Sequence, residues 1–463
     1  MNKAREFDQS VVSELKALLG DRVSTSHAVR EHHGKDESYF PYALPDVVVF
    51  ARSTEEVRDI ANICRTHRVP MIPYGVGTSL EGHILAVKGG VCIDLSQMNQ
   101  VLQIHESDLD AVVQVGVTRK QLNEHIKHTG LFFPVDPGAD ATLGGMAATR
   151  ASGTNAVRYG TMRENVLSLK VVLADGRVIQ TSRRAKKSAA GYDLTRLFVG
   201  SEGTLGIITE VTVKLYPVQE AMSAAVCAFE SVDGCTNTVI QTIQAGVPIA
   251  RCDIVCDKTV DAINKYKKTN YRVAPTVFFE FHGTKNSVVE QAETVQSIAK
   301  ENGGKDFIWA TKPEERTQLW QARHDAYFAC LQIKPGVRAV STDVCVPISR
   351  LAECVAETME DVKDYINPVP LLGHIGDGNF HLMLMVDPDK PEQTELAKKF
   401  NKRLVERALK MEGTCTGEHG IGMGKMGSMR MELGDDMMDL MRDIKKVFDP
   451  EGLMNPGKVV PLE

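Results

Sequence analysis

Short apolar runs and helix-like segments alternate along nearly the whole chain. Apolar runs such as 46–50 and 91–95 have the length of buried strands. The stretch 54–67 begins with Thr54, a capping residue followed by an acidic first turn, and predicts a helix. Further strands are predicted at 69–73, 111–115, 169–173, 178–181, 206–213, 224–229 and 276–282, and further helices at 119–129, 232–245, 285–302, 313–331 and 437–448. This alternation predicts an α/β or α+β protein.

A possible metal site lies where two apolar runs, 369–372 and 382–386, flank a short polar segment. Asp377-Gly378 is a strong hairpin signal, and placing it at the two central turn positions makes His374 face His381. Side chains that are paired in this way have Cβ atoms ~5 Å apart. Two imidazoles at that distance can hold one divalent cation, and a carboxylate such as that of Glu418 can complete the ligand set.

Composition limits the remaining possibilities. A chain of 463 residues is expected to form two or three domains, and its net charge of −6 argues against nucleic acid as a partner. No apolar run approaches the ~20 residues of a membrane span, so no transmembrane segment is expected. The ten cysteines lack paired CxxC spacing, and most of them are expected to be reduced core residues. Residues 11–19 form a predicted amphipathic helix ended by Gly20, and the N-terminus resembles neither a secretory signal nor a transit peptide.

Three segments concentrate glycine and small hydroxyl residues: 73–83, 136–148 with its continuation to 161, and 200–208. Glycines let backbone N–H groups surround phosphate oxygens, and Thr78, Ser79, Thr142 and Ser152 can add donors. None of the segments matches GxGxxG after a first strand or GxxxxGK[ST]. Three such loops in one domain favour a large phosphate-bearing ligand over separate structural turns.

These loops, in this order, resemble the flavin domain of the vanillyl-alcohol-oxidase (PCMH-type) superfamily. Together with the segments 341–350, 373–381, 415–422 and 453–458, they make the chain similar to the FAD-linked D-2-hydroxy-acid dehydrogenases, and most similar to the mitochondrial-type branch that acts on D-lactate. The likeness extends over about 29–459. It implies an α+β fold with a PCMH-type FAD-binding domain, an α/β cap domain with an antiparallel sheet, and a C-terminal helical segment. The expected boundaries are 1–45 for the N-terminal helix and lead-in, 46–218 for the FAD domain, 219–425 for the substrate and metal cap, and 426–463 for the C-terminal helix and tail.

The resemblance also implies a set of site residues. His374, His381 and Glu418 would bind Zn²⁺ or Mn²⁺, and His419 would be the general base. Arg323 would bind the substrate carboxylate, and Trp320 would wall the pocket, although plain packing is the commoner role for a tryptophan. The implied FAD contacts are Pro73, Gly75, Gly77, Thr78, Ser79, Leu80, Pro137, Gly138, Thr142, Gly145, Ala148, Ser152, Asn155, Tyr159, Glu202, Gly206, Ile208 and Asn455. We expect non-covalent FAD, with His83 as the candidate for a covalent link.

The implied reaction is oxidation of D-lactate and related short D-2-hydroxy acids to the 2-oxo acid. Hydride would pass to the flavin, and electrons would continue to cytochrome c, an electron-transfer flavoprotein or a quinone. The alternatives are a D-2-hydroxyglutarate or glycolate dehydrogenase, although the segment 340–342 lacks the lysine that hydroxyglutarate enzymes tend to carry. An alternative from a different enzyme class is a metal-dependent hydrolase whose glycine loops bind a nucleotide other than FAD. The resemblance implies a mitochondrial location, in the matrix or at the inner membrane, with the cytoplasm as the alternative.

Overall fold

The computed structural model describes residues 7–462, which divide into two compact units. The first unit contains the described residues up to 151 together with 161–217 and 418–462, and the second contains 152–160 and 218–417. The first six residues of the predicted lead-in lie outside the described residues. The units differ from the predicted domain boundaries in two stretches, since 152–160 group with the second unit and 418–425 with the first.

The first unit contains a four-stranded sheet and a five-stranded sheet. The four-stranded sheet has the order Val23–Ser24, Val47–Phe50, Val91–Asp94, Met71–Tyr74, and its last three strands are parallel. The five-stranded sheet is antiparallel, with the order Val101–His105, Asp110–Gln114, Ile207–Lys214, Val166–Val172, Val178–Gln180. Leu131–Phe132 pairs separately with Tyr216–Pro217. The strands predicted in this part of the chain are confirmed to within a few residues.

Helices cover these sheets, and the buried apolar side chains form one large core cluster and a smaller one that includes Val48, Ile72 and Leu85. The helix Thr54–Thr66 begins where the Ser53 side chain accepts a hydrogen bond from the backbone N–H of Glu56, and it buries Val57, Ile60 and Cys64. The helices of this unit are Gln9–Leu19, His27–His33, Thr54–Thr66, Arg119–Ile126, Leu143–Thr149, Met162–Asn165, Leu194–Phe198 and Met426–Phe448, with 3₁₀ turns at Gly20–Arg22, Glu106–Asp108 and Lys127–Thr129. The predicted N-terminal helix and its end at Gly20 are confirmed.

The C-terminal helix is longer than predicted. It begins at Met426 instead of residue 437, and it is interrupted at Gly434, whose φ of 77° and ψ of 171° are not helical. Glycine accepts this conformation without a steric penalty, so the chain bends there. Near the end of the helix the buried Lys445 donates to the carbonyls of Thr204 and Met454, at 2.5 and 2.9 Å, and pairs with Asp449. These contacts hold the C-terminal tail against the third glycine loop within the first unit.

The second unit contains an antiparallel sheet of eight strands. Its order is Gly304–Ala310, Ala221–Phe229, Thr276–Gly283, Ile249–Val255, Leu371–Gly373, Asn379–Val386, Arg338–Ser341, with Val344–Cys345 paired beside Asn379–Val386. The helices are Ala156–Tyr159, Val232–Gln244, Asp257–Lys267, Lys285–Glu301, Pro313–His324, Ala326–Leu331, Leu351–Asp361 and Pro391–Lys410, with 3₁₀ turns at Ile348–Arg350 and Ile375–Asp377. The expected α+β class and the antiparallel cap sheet are confirmed. The single helix predicted at 313–331 is wrong, because the chain breaks at Asp325 into two helices.

The predicted two-residue hairpin at Asp377-Gly378 is also wrong. His381 pairs with Leu372 instead of His374, and a 3₁₀ turn at Ile375–Asp377 lies between the strands. The turn buries Ile375 completely, and Gly378 follows it with a φ of +80°. Burial of that isoleucine favours the longer connection over the tight turn, in which the chain would continue as a strand.

Two further expectations concern the chain as a whole. Every cysteine except Cys345 is buried, and no disulfide joins the cysteines, all of which lie within the described residues. This confirms their predicted role in the core. Between residues 7 and 462, none of the helices combines the length and the apolar character needed to cross a bilayer.

Candidate active site

The first two glycine loops meet in the first unit. The loop that contains Gly75 follows the strand Met71–Tyr74, and Thr142 caps the helix Leu143–Thr149 by accepting from the backbone N–H of Gly145 at 3.2 Å. A Cβ added to Gly75 would lie 2.7 Å from the Thr142 hydroxyl oxygen, so the two loops touch at a point where no larger residue fits. The strand end and the helix start thus meet through small residues, as the close approach of backbone to a phosphate-bearing ligand requires.

The third glycine loop lies against the first. Gly203 has a φ of +71°, and a Cβ there would lie 2.5 Å from Cγ of Pro73. Asn455, from the C-terminal tail, donates to the carbonyls of His83 and Glu202 at 2.9 and 2.8 Å. The structure therefore brings together the three loops that the sequence singled out, with Asn455 between two of them.

Glu202 is buried at the centre of this arrangement. Its carboxylate accepts the backbone N–H groups of Ile421 and Gly422, both at 2.7 Å, and lies 3.2 Å from Nε2 of His83. Burial alone raises the pKa of this carboxyl, but the charge on His83 and the two backbone donors outweigh it and leave the pKa below the ordinary 4.5. The side chain predicted to contact FAD thus also anchors the loop that follows His419.

We expect Glu202→Gln to lower the apparent Tm by roughly 5 °C near pH 6, because the amide cannot accept both backbone donors and leaves His83 without its counter-ion. The folded pKa of Glu202 lies below 4.5, so its stabilisation is complete above that pH and is lost as the pH falls through the folded pKa. Thermal unfolding from pH 3 to 7 should show the two curves converging in acid. Glu124→Gln, which alters an exposed ion pair with Lys127, is the control. A difference that does not depend on pH would contradict this assignment.

His419 lies in the first unit within the loop anchored by Glu202. Its Nδ1 is 3.9 Å from Oε1 of the buried Glu81, which is 3.3 Å from Nζ of the buried Lys425. The carbonyl of Glu81 also accepts the backbone N–H of Met423 at 2.9 Å. The predicted base therefore has a buried carboxylate beside its Nδ1. Glu81 was not among the predicted site residues, although its place inside the first glycine loop was a usable signal.

The two predicted metal-binding histidines lie close together in the second unit, although they are not paired across a hairpin. Their ring centroids are 5.8 Å apart, and each offers a ring nitrogen within 4.8 Å of one offered by the other. His374 Nδ1 is 3.0 Å from Asp253 Oδ1, and His381 Nδ1 is 3.0 Å from the carbonyl oxygen of Thr342. Carboxylates and carbonyls only accept hydrogen bonds, so in both neutral rings Nδ1 carries the proton and Nε2 keeps its lone pair. This donor set fits a divalent cation.

The segment that leads to Glu418 is attached to the histidine strand. Within the second unit, Thr416 donates to Asp343 at 2.7 Å, and Asp343 accepts from the side-chain amide of Asn379 at 2.8 Å. A Cβ added to Gly417 would lie only 2.2 Å from that same amide nitrogen. Glu418 is the next residue in the chain.

Arg323 and Trp320 share one side of the helix Pro313–His324, and both are buried. Nη2 of Arg323 lies 2.8 Å from Oδ2 of Asp253. The buried Nε of Arg323 and the indole nitrogen of Trp320 have no hydrogen-bond acceptor among residues 7–462. Trp320 packs in the core against Phe278, with the Arg251 guanidinium 4.8 Å from its ring centroid.

The remaining predicted FAD contacts are divided between the units. Asn155 and Tyr159 belong to the second unit, where Asn155 accepts from Arg251 at 2.8 Å and the Tyr159 hydroxyl lies 2.8 Å from Nδ1 of His282. Ser152 belongs to that unit as well. The others, including Gly206 and Ile208 at the start of the strand Ile207–Lys214, belong to the first unit. Their roles as cofactor contacts remain predictions.

Two family models match the chain. The C-terminal domain of FAD-linked oxidases matches residues 218–459, more than half of the sequence, and an FAD-binding domain matches residues 45–182. The chain belongs to the FAD-linked oxidase family. As an oxidoreductase of this family it uses FAD, which confirms the nature of the large ligand predicted from the three loops.

Several curated relatives are similar to this FAD-linked oxidase over almost its full length. "Probable D-lactate dehydrogenase, mitochondrial" of Danio rerio is 53% identical, with 98% of this chain and 92% of that protein covered. "D-lactate dehydrogenase [cytochrome], mitochondrial" of Arabidopsis thaliana is 46% identical, with 99% and 81% covered. These matches confirm the resemblance to the FAD-linked 2-hydroxy-acid dehydrogenases.

Solved structures agree on the fold. p-Cresol methylhydroxylase has a TM-score of 0.80 at 19% identity, with 98% of this chain and 96% of that chain covered. 4-Ethylphenol oxidase from Gulosibacter chungangensis has a TM-score of 0.81 at 18% identity, with 100% and 99% covered. At such identities the likeness concerns the fold alone, and it confirms the predicted PCMH-type architecture.

Proposed function

We propose that this FAD-linked oxidase oxidises D-lactate to pyruvate with the help of a divalent cation. The observation that carries the cation site is the pair His374 and His381, which each offer a ring nitrogen within 4.8 Å of one offered by the other while their Nδ1 atoms lie 3.0 Å from protein oxygens. The choice of D-lactate is supported by the names of the similar proteins from Danio rerio and Arabidopsis thaliana.

The proposed cation ligands are His374, His381 and Glu418. Two imidazoles and one carboxylate suit Zn²⁺ or Mn²⁺ and leave coordination positions for a substrate. The contact of Gly417 with Asn379 supports the inclusion of Glu418, because chain connectivity limits how far that carboxylate can lie from the histidine strand. When bound, the cation supplies Lewis-acid polarisation of the substrate hydroxyl.

His419 is the proposed general base. The substrate hydroxyl would give its proton to Nε2 of His419. A neutral imidazole has a suitable proton affinity for this role near neutral pH. The Glu81 carboxylate, 3.9 Å from Nδ1 of His419, favours the ring orientation with Nδ1 protonated and stabilises the imidazolium that results. Bound FAD would supply the hydride acceptor that this oxidation requires.

Arg323 is proposed to bind the substrate carboxylate. Its buried Nε has no acceptor among the described residues, and a guanidinium fork matches a carboxylate in two-point contact. Asp253 occupies only one side of that fork. Trp320 is proposed to close the pocket beside it. The absence of a lysine in the segment 340–342 favours a short acid over 2-hydroxyglutarate, which needs a second cation.

The electron acceptor and the location follow from the relatives alone. The word "cytochrome" in the name of the similar protein from Arabidopsis thaliana supports a c-type cytochrome as acceptor, with an electron-transfer flavoprotein or a quinone as alternatives. The same names support a mitochondrial location. The domain roles proposed from the sequence also remain proposals: FAD binding at 46–218, and substrate and metal binding at 219–425.

D-Lactate is expected to bleach the visible absorption of the bound flavin under anaerobic conditions, within seconds, because hydride transfer reduces the isoalloxazine ring. L-Lactate, which places its hydroxyl on the other side of the carbon, should leave the spectrum unchanged. Stopped-flow spectra with D-lactate, L-lactate, glycolate and D-2-hydroxyglutarate measure this directly. Faster reduction by D-2-hydroxyglutarate or glycolate than by D-lactate would assign the substrate to the alternative dehydrogenases, and a colourless protein that cannot be reconstituted would contradict the flavin chemistry.

A further inference from the structure

Asp253 is the most deeply buried acidic group beside the proposed cation site, and none of the reaction steps proposed above uses it. It lies in the strand Ile249–Val255 with no exposed surface. The neighbouring strand pairs Gly373 with Ile254, so the next residues along the two strands, His374 and Asp253, come opposite each other. The backbone register of the sheet therefore determines this contact.

The two oxygens of Asp253 have different partners. Oδ1 lies 3.0 Å from Nδ1 of His374, and Oδ2 lies 2.8 Å from Nη2 of Arg323. One carboxylate thus joins a proposed cation ligand to the proposed substrate-binding arginine. The nearest partner of His381 is neutral, since its Nδ1 lies 3.0 Å from the carbonyl oxygen of Thr342, whereas the carboxylate of Asp343 is farther away, at 3.7 Å. A carboxylate partner increases the basicity of the ligand nitrogen more than a carbonyl does.

We propose that Asp253 is a shared positioning residue, which holds His374 with its Nε2 lone pair directed at the cation and holds the guanidinium of Arg323 for the substrate carboxylate. The inference rests on the proposed function of His374 and Arg323. A carboxylate has two acceptor oxygens, whereas an amide has one acceptor and one donor. Asp253→Asn can therefore satisfy His374 or Arg323, but not both.

The matched control is Glu280→Gln. Glu280 is also a buried acid on this sheet between a histidine and an arginine, with His282 Nε2 at 2.7 Å and Arg251 Nε at 3.6 Å. It contacts neither His374 nor Arg323 in any hydrogen bond or ion pair found among the described residues. The two variants therefore share the cost of altering a buried acid and differ in which histidine they affect.

The first measurement is the Kd for Zn²⁺ of the FAD-loaded protein, obtained by competition with a chromophoric chelator. We expect Asp253→Asn to raise the Kd for Zn²⁺ by roughly 10- to 100-fold, and Glu280→Gln to leave it unchanged. At saturating Zn²⁺, Asp253→Asn should raise the KM for D-lactate by about tenfold and lower kcat less, because Arg323 loses its fixed orientation before substrate binds. An unchanged Kd would overturn the role at His374, and an unchanged KM would overturn the shared role.

A second measurement on the wild-type protein does not depend on the folding of a variant. Nitrogen NMR of histidine-labelled, metal-free, FAD-loaded protein should show His374 as the Nδ1-protonated tautomer, assigned by the loss of its signal in His374→Gln. The Nε2-protonated tautomer would overturn the proposal whatever the variants do. Absence of Zn²⁺ binding by the wild-type protein would instead overturn the cation site itself, and with it the inference. Equal Zn²⁺ affinity in wild type and Asp253→Asn would overturn the inference alone.

Discussion

His419→Ala is expected to lower kcat for D-lactate by at least about 10²-fold while FAD remains bound, since general-base catalysis by a positioned side chain contributes about 10²- to 10⁴-fold. The predicted FAD loops are held together by Gly75, Gly203 and Asn455, and none of those contacts uses the imidazole of His419. The visible spectrum of the purified variant measures flavin content, and stopped-flow reduction by D-lactate measures the chemical step.

The control for this variant is His128→Ala, which removes an exposed imidazole from the first unit and should change neither flavin content nor rate. The partner of the base can be tested in the same way. Glu81→Gln should lower the rate less than His419→Ala, because the imidazole remains and loses only the carboxylate beside its Nδ1. A His419→Ala enzyme that still reduces its flavin near the wild-type rate would remove His419 from the mechanism.

Removal of the cation with a chelator is expected to lower the rate of D-lactate oxidation by roughly 10³-fold, because Lewis-acid stabilisation of developing charge is worth several kcal/mol. Zn²⁺ or Mn²⁺ added in slight excess should restore the rate. The flavin spectrum should not change during either step, since the proposed cation ligands and the three glycine loops are different sets of residues. Metal content per chain, measured by mass spectrometry, should be near one before treatment and near zero after it.

Ligand variants make this test specific. His381→Ala should contain little metal and should respond only weakly to chelator, because the site is already disrupted. A chelator can also act without reaching the proposed site. The control is therefore His128→Ala, which should lose activity with chelator as the wild type does. A difference between His128→Ala and His381→Ala shows that the chelator effect depends on the proposed ligands. Full activity in a protein shown to contain no bound metal would contradict the cation proposal.

The motif residues of the site were accessible from the sequence because each motif is local. The three glycine loops stood out by composition, and the structure brings them together through Gly75 against Thr142 and Gly203 against Pro73. His374 and His381 were selected for their spacing around Asp377-Gly378, and their rings do lie close together. The reason given for that proximity was nevertheless wrong, because burial of Ile375 replaces the tight turn with a 3₁₀ turn and changes the strand register.

The supporting residues were not accessible in this way. Asp253 precedes His374 by more than a hundred positions, and only the antiparallel pairing of two distant strands makes them neighbours. Glu81 and Glu202 were read as parts of glycine loops, whereas their carboxylates contact the segment around His419. An acidic residue inside a largely apolar strand, as at Asp253, was a usable signal, because such a residue is seldom buried without a partner.

The sequence by itself determined the order of strands and helices, the three loops that belong to an FAD-binding fold, and the types of residue available for catalysis, since these depend on local periodicity, turn chemistry and recognisable motifs. Only the tertiary structure decided which partners the atoms of those residues have. The tautomers of His374 and His381, the buried ion pair of Arg323 and the anchoring of the loop after His419 depend on contacts between residues far apart in the chain. Those contacts form only when the sheets are paired in one register and the side chains between them are withdrawn from water.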